Sequence, residues 1–381
     1  MTFARNLDGT AAVKTSREAL RWPWATSASP GRSQNRKKKA QHPVNLTEPR
    51  FELPFTPEVE RTTAARYRHL AGMIPRVEWE LFAPYIARID ELKLERNAVI
   101  LAHNYQTPEI FHGVADIVGD SLALAYEAAR TKADVIVLCG VHFMAETAKL
   151  LNPEKTVLIP DLRAGCSLAE SITAADVRLM RERYPGVPVV TYVNTSAEVK
   201  AESDVCCTSG NAIRVVEALG APRVIFLPDR YLAQYVASHS SVEIIAWEGS
   251  CEVHERFTGD EVRSYRKSHA GVTVLAHPEC PPDVLKEADY VGSTAGMIRY
   301  VDERRPAKVV MITECSMSDN VAVEFPKIEF VRPCNLCPHM KQNSLPKILR
   351  SLETLEYEIT IDAAVAQRAR AAVERMLEIG R

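Results

Sequence analysis

The sequence predicts an α/β protein made of three small Rossmann-like αβα modules with parallel sheets. Three observations carry that expectation. From Asn97 onward, short β-branched apolar runs alternate with polar loops and helical segments. Cys166 and Cys251 each follow an apolar run of strand length, and Cys337 lies on a loop further past one. The three cysteines are 85 and 86 residues apart, the spacing expected if one strand–loop–cysteine unit is used three times. Coincidence of spacing is the plainer alternative.

Taken in order, residues 1–55 read as a disordered basic extension. Positions 1–50 carry ten Lys/Arg against three Asp/Glu, a charge of +7, and the chain total of −2 leaves −9 for the remainder. That acidic body argues against nucleic acid as a partner. A transit peptide is one reading of the Arg- and Ser-rich start; a contact tail or an over-extended start is the plainer one. Residues 54–73 read as transitional and 79–94 as an amphipathic helix.

Strands are expected at 98–102, 135–138, 156–159, 189–193, 224–227, 242–246, 272–276 and 309–312. Helices are expected at 121–132, 145–151, 167–183, 211–219, 230–238 and 282–288. The modules run 75–160, 161–245 and 246–350, with a terminal helix at 363–380 packing back on the first. Eight strands give each module a small sheet of three or four. With 46% hydrophobic and 25% charged residues, the 381-residue chain has an ordinary globular make-up. No apolar run approaches the roughly eighteen residues of a membrane span.

In parallel sheets, functional groups gather where strands end. The ends here are rich in them: His103 and Tyr105, Gly119-Asp120-Ser121, Tyr192-Val193-Asn194, Ser209-Gly210-Asn211, His277-Pro278-Glu279 and Gly292-Ser293-Thr294. His103, Tyr105, His277 and Glu279 are the proton-transfer candidates. Tyr192, Asn194, Ser209 and Thr294 offer neutral donors for carboxylates or phosphate, and Ser209-Gly210-Asn211 stands before a helix whose free amides suit an anion. No dinucleotide or ATP fingerprint is present.

Nine cysteines with no secretion signal point to metal or redox work in a reducing cytoplasm. Cys334 and Cys337 form a CxxC that suits half a zinc site, a redox dithiol, or one ligand and a bystander. Adjacent Cys206 and Cys207 lack the spacing of a second zinc pair. Three solitary loop thiolates, Cys166, Cys251 and Cys337, suit an Fe–S cluster. Cys139 and Cys315 read as buried core thiols, with Cys280 undecided.

Several motifs together resemble the quinolinate synthase family. They are His103-Asn104-Tyr105-Gln106, Gly119-Asp120-Ser121-Leu122, Tyr192-Val193-Asn194-Thr195, Trp247-x-Gly249-x-Cys251-x-Val253-His254, His277-Pro278-Glu279-Cys280-Pro281, Gly292-Ser293-Thr294-x-Gly296-Met297 and Cys337-Pro338-x-Met340. The resemblance runs in order from about Ile89 to Ile348. It implies a pseudo-threefold arrangement of the modules around a central [4Fe–4S] cluster with one open iron acting as Lewis acid. The cluster ligands would be Cys166, Cys251 and Cys337.

It further implies condensation of iminoaspartate (iminosuccinate) with dihydroxyacetone phosphate to quinolinate, phosphate and two waters, in de novo NAD synthesis. L-Aspartate oxidase or aspartate dehydrogenase would supply the imine. His103, Ser121, Tyr192, Val193, Asn194, Ser209, His277, Pro278, Glu279 and Thr294 fall on substrate positions. Tyr105 falls beside the cluster, and Glu279 is the expected base. One departure stands out. Some members carry CxxCxxC in the last loop, whereas Val331 occupies the first place here. A disulfide between Cys334 and Cys337 would withdraw a ligand thiolate. A redox-responsive binding protein, and a cluster-free triose phosphate aldolase-like enzyme, are the competing readings.

Overall fold

The computed structural model describes residues 53–380. The basic extension expected over residues 1–55 lies outside the described residues except at its end, where Leu53 and Phe55 pack partly buried against the core.

Strands β1 (Ala98–His103), β2 (Ile117–Gly119), β3 (Val135–Cys139) and β4 (Thr156–Leu158) form a first parallel sheet. Strands β5 (Val189–Tyr192), β6 (Val205–Cys207), β7 (Arg223–Leu227) and β8 (Glu243–Ala246) form a second. A third holds β9 (Thr273–Ala276), β10 (Tyr290–Val291), β11 (Lys308–Ile312) and β12 (Glu329–Val331). The strand orders β2-β1-β3-β4, β6-β5-β7-β8 and β10-β9-β11-β12 are the same pattern three times. Three Rossmann-like modules are therefore present, each with four strands.

The eight expected strands are too few. Absent from that set are β2, β6, β10 and β12, each of two or three residues. Segments that short complete no period-2 pattern, so only pairing with a neighbouring strand defines them.

The helices that precede or flank the first sheet are α1 (Pro57–Leu70), α2 (Arg76–Glu95), α3 (Pro108–Phe111), α4 (Ser121–Arg130) and α5 (His142–Leu151). Next come α6 (Ala174–Arg183), α7 (Ala197–Ala201), α8 (Ala212–Ala218), α9 (Arg230–His239) and α10 (Gly259–Ser268). The last are α11 (Pro282–Leu285), α12 (Thr294–Arg304), α13 (Cys315–Glu324), α14 (Leu345–Thr354) and α15 (Ala363–Ile379).

The transitional stretch before Met73 is thus a helix. Thr56 caps α1, Pro57 opens it, and Glu58 and Glu60 complement its dipole. The single helix expected over 167–183 is broken: a 3₁₀ turn over Ala169–Ser171 ends at extended Ile172. Thr173 and Asp176 then form a capping box that starts α6.

Trp79, Ile86, Ile89 and Leu92 of α2 and Ile348, Leu349 and Leu352 of α14 are buried in one cluster with Ile100 and Val137 of the first sheet. The terminal helix α15 packs on α7 and β6 of the second sheet, and on α5 of the first, rather than on the first module alone. Its buried Ala369, Ala372, Val373 and Met376 face those elements; β6 is an edge strand, and α15 covers it.

Candidate active site and metal centre

The repeated strand pattern delivers side chains at repeated positions. His103 ends β1, Tyr192 ends β5, and His277 directly follows β9. Two residues beyond each stand Tyr105, Asn194 and Glu279. Ser121, Ser209 and Thr294 lie two or three residues past β2, β6 and β10. These nine residues, with Cys166, Cys251 and Cys337, line one cavity. It encloses about 730 Å³ of empty space, part of it open to solvent. Val193 and Pro278 sit between the lining positions and do not line the cavity, as expected where successive residues point to opposite sides.

The three cysteines are positioned by one local device. The residue two before each cysteine pairs with the loop leaving the third strand of its sheet. Ala164 O accepts from His142 N at 2.7 Å, Gly249 O accepts from Arg230 N at 2.8 Å, and Asn335 bridges to Glu314. A Cβ at Gly249 would meet Pro228 O at 2.6 Å, so only glycine allows that approach. A 3₁₀ turn starts three residues after each cysteine, at Ala169, His254 and Met340. The backbone amides of each turn consequently favour the thiolate of its cysteine: Leu168 and Ala169 for Cys166, Val253 and His254 for Cys251, His339 and Met340 for Cys337.

Burial pushes the Cys166 thiol up to about 12, and the Cys251 and Cys337 thiols up as well. The sulfurs also oppose each other's ionisation, Cys337 acting on Cys166 and Cys166 on Cys251. Buried sulfurs that are each solvated by two amides, and that repel one another as thiolates, fit a shared cationic centre. Three thiolates suit the soft irons of a cluster.

His254 is the hub beside that centre. Its Nδ1 lies 2.7 Å from Glu279 Oε2 and 3.2 Å from Cys251 Sγ, and its Nε2 lies 2.9 Å from Thr313 Oγ1. Thr313 Oγ1 is in turn 2.5 Å from the Tyr105 hydroxyl. With Tyr105 donating to Thr313 and Thr313 to Nε2, the imidazole proton sits on Nδ1, hydrogen-bonded to Cys251 Sγ and in ion-pair contact with Glu279 Oε2. One chain of contacts thus runs from Tyr105 through His254 to Cys251 and Glu279.

Burial opposes a charge on Glu279, but His254 and His277 outweigh it and hold the carboxyl well below the usual carboxylate range. His277 is itself pushed down by burial. Neutral His277 accepts from Glu279 N at its Nδ1, 3.4 Å away, and its Nε2 lies 3.2 Å from Ser209 Oγ, so the closer His254 contact is the main support of the carboxylate. Among the described residues, the other carboxylate oxygen, Glu279 Oε1, is buried with no hydrogen-bond partner within bonding distance, as is Asn194 Oδ1, and the Tyr192 hydroxyl interacts with the same carboxylate. Burial, then His277, pushes His103 down to about 3, so it is neutral. Burial and the Glu279 charge keep the Tyr105 and Tyr192 phenols protonated.

The helix expected to present an anion site after Ser209 is only seven residues long and starts at Ala212. Asn211 Oδ1 is used locally, accepting from Thr208 N at 2.7 Å. The longer α4 begins directly at Ser121, with Asp120 as its cap.

Comparison with known proteins decides the family. The model of the family described as Quinolinate synthetase A protein matches residues 87–378. The chain belongs to the quinolinate synthetase A family. It is 66% identical over 321 residues to quinolinate synthase 2 of Mesorhizobium japonicum, covering 84% of this chain and 99% of the relative. It is 64% identical over 336 residues to quinolinate synthase of Agrobacterium fabrum, covering 88% and 97%. Against quinolinate synthase of Caulobacter vibrioides it is 56% identical over 333 residues, covering 86% and 91%. Every cavity-lining residue lies inside the segment matched to the quinolinate synthetase A family.

Sequence reasoning set the His254 imidazole three residues from the Cys251 thiol but gave it no role, and it missed Thr313, Glu314 and Lys341 entirely. The pair Thr313 and Glu314 follows β11 directly, so the strand-end rule would have found it. Lys341 Nζ binds Glu314 Oε1 at 3.0 Å, Ser316 Oγ at 2.7 Å and Tyr105 O at 2.6 Å. It therefore ties the Cys337 loop to the Tyr105 loop.

Cys139, Cys280 and Cys315 are buried, and Cys280 points its sulfur at Ile312 O, 3.5 Å away. Cys334 Sγ lies 2.9 Å from Cys315 Sγ. Cys315, rather than Cys337, is thus the thiol that Cys334 faces. Under diamide, which accepts the two electrons and two protons, peptide mapping is expected to recover a Cys315–Cys334 crosslink that Cys315→Ser abolishes. A crosslink between Cys334 and Cys337 would reverse this assignment.

Proposed function

We propose that the chain is a quinolinate synthase that joins iminoaspartate to dihydroxyacetone phosphate, giving quinolinate, phosphate and two waters for NAD synthesis. Family membership and the relatives' names support the activity. The observation that carries the finer reading is the convergence of three amide-solvated cysteines on the cavity that holds Glu279. Cys166, Cys251 and Cys337 would hold a [4Fe–4S] cluster, which supplies Lewis acidity at an iron without a protein ligand.

The remaining chemistry falls to the chain itself. Two carboxylates and a phosphate must be bound, and the donors are neutral: Ser121, Ser209, Thr294, Tyr192 and Asn194. Asn104 Nδ2 donates to Thr294 Oγ1 at 2.8 Å, leaving the Thr294 proton for substrate. Carbon–carbon bond formation needs a proton removed beside a carbonyl or imine. Glu279 Oε1, buried and unpartnered, is the base placed to take it. The dehydrations need a proton delivered to a departing hydroxyl, and the Tyr105–Thr313–His254 relay holds one. Nine free cysteines support a reducing compartment, so we place the reaction in the cytoplasm, with an aspartate oxidase or dehydrogenase as the source of imine.

A second reading has a specific observation behind it: the donor atoms of Cys251, His254 and Glu279 lie within 4.8 Å of one another and could hold a single ion. Anaerobic purification followed by iron and sulfide determination and a quinolinate assay separates the two. About four irons and four sulfides per chain with quinolinate formed is the expected result. One metal without sulfide would favour the single-ion site. Turnover in a metal-free chain would sink both.

A further inference from the structure

Outside the cavity, His69 of α1, His112 at the end of α3 and Glu324 at the end of α13 converge. Glu324 Oε1 lies 3.1 Å from His69 Nε2 and 3.6 Å from His112 Nδ1. The three donor atoms all fall within 4.8 Å of one another. Donors held about 2.0–2.1 Å from a tetrahedral zinc stand about 3.3 Å apart, and the two Glu324 distances bracket that value. None of these residues lines the cavity, and His69 precedes the family-matched segment.

We propose that His69, His112 and Glu324 form a site for a divalent transition metal of the zinc class, which clamps α1 to α13. Two imidazoles and one carboxylate are a zinc-type donor set, and they leave a fourth position for water. A second observation separates the site from an ordinary surface ion pair. His112 Nε2 lies 3.3 Å from Asn320 O, one turn before Glu324 on α13. That carbonyl can only accept, so the proton sits on Nε2 and the Nδ1 lone pair faces Glu324 and His69. A backbone carbonyl holding the distal N–H is the support that metal-binding histidines commonly have. The rings meet edge-on rather than stacked, with centroids 5.3 Å apart, and His69 is half-exposed.

The clamp reaches the active site through one residue. Asn320 Nδ2 donates to Asn104 O at 3.1 Å and Gln106 O at 2.7 Å, holding the loop that carries Tyr105.

The test is equilibrium dialysis of the anaerobically purified, cluster-containing protein against zinc chloride, comparing wild type with His69→Ala and His112→Ala. Zinc bound elsewhere, including at cysteines, is common to all three and cancels. One zinc per chain is expected to be lost, or bound at least about tenfold more weakly, in each variant. Zinc should also slow proteolysis between α1 and α2 in wild type alone. His69 is on the surface, so its variant keeps the test decisive if His112→Ala misfolds. Equal zinc stoichiometry and affinity in wild type and His69→Ala overturns the proposal.

Discussion

Cys251→Ala is expected to abolish quinolinate formation and the broad iron–sulfur absorption near roughly 400 nm together, while leaving the protein folded. Removal of this sulfur leaves the amides of Val253 and His254 without their acceptor and takes away one of three thiolates. Lewis-acid stabilisation is worth several kcal/mol, so turnover should fall by more than about 10³-fold. The scaffold around the site survives for a stated reason. The Cys251 backbone carbonyl still accepts from Glu255 N at 3.0 Å, and the Gly249–Arg230 pairing does not involve the side chain. Trp247 Nε1 still donates to Ser171 O at 3.1 Å, tying this arm to the turn after Cys166. Unchanged circular dichroism with less than one iron per chain is the expected pair of measurements. Undiminished turnover in the variant would remove the cluster from the reaction and restore the aldolase-like alternative.

What the sequence reveals and what it hides follow one physical division. Strands such as β1, β3 and β7 are buried through nearly their whole length and read directly as apolar runs. The three cysteines are legible because a repeated module returns each to the same offset, even though the sheets that impose the repeat are invisible in one dimension. The edge strands β2, β6, β10 and β12 escape because two or three residues carry no period, whereas the edges β4 and β8 lie in longer apolar runs and are legible. The start of α6 was legible in principle, since Thr173 and Asp176 spell a capping box, but the surrounding helical composition masked it. His254 and Thr313 have no sequence signal for their roles, because 59 residues separate two groups that meet at 2.9 Å. The same is true of Cys315 and Cys334, which approach only because β12 runs beside β11.

The repeat also exposes where the protein departs from symmetry. The equivalent position two residues past the first strand's end region holds Tyr105 in one sheet, Asn194 in the next and Glu279 in the third. A threefold frame thus presents a protonated phenol, a neutral amide and a carboxylate to one cavity. Under the proposed reaction, that asymmetry offers two unlike substrates unlike partners.

Glu279→Gln is therefore expected to lower kcat by about 10²–10⁴-fold with little change in KM, as for loss of a positioned base. The amide keeps the size of the carboxyl and none of the three cysteines is touched, so iron content should be retained. The melting temperature should fall, because a carboxylate held below its usual range by its neighbours contributes stability at neutral pH that the amide lacks. Because Tyr105, Thr313, His254 and Glu279 form one relay, their losses should not add. Glu279→Gln combined with Tyr105→Phe should be little slower than Glu279→Gln alone.

The sign of the pH dependence follows from the environment. The flanking imidazoles lower the Glu279 pKa, so the carboxylate persists as pH falls, and it protonates only below the ordinary glutamate value of about 4.3. His103, near 3, likewise keeps its charge state across the neutral range. The acid limb that Glu279 contributes to kcat/KM in wild type should accordingly lie below about pH 4.3. A Glu279-dependent limb near pH 6 would mean that substrate-free Glu279 is not held ionised by His254, and the relay would have to be drawn in the opposite direction.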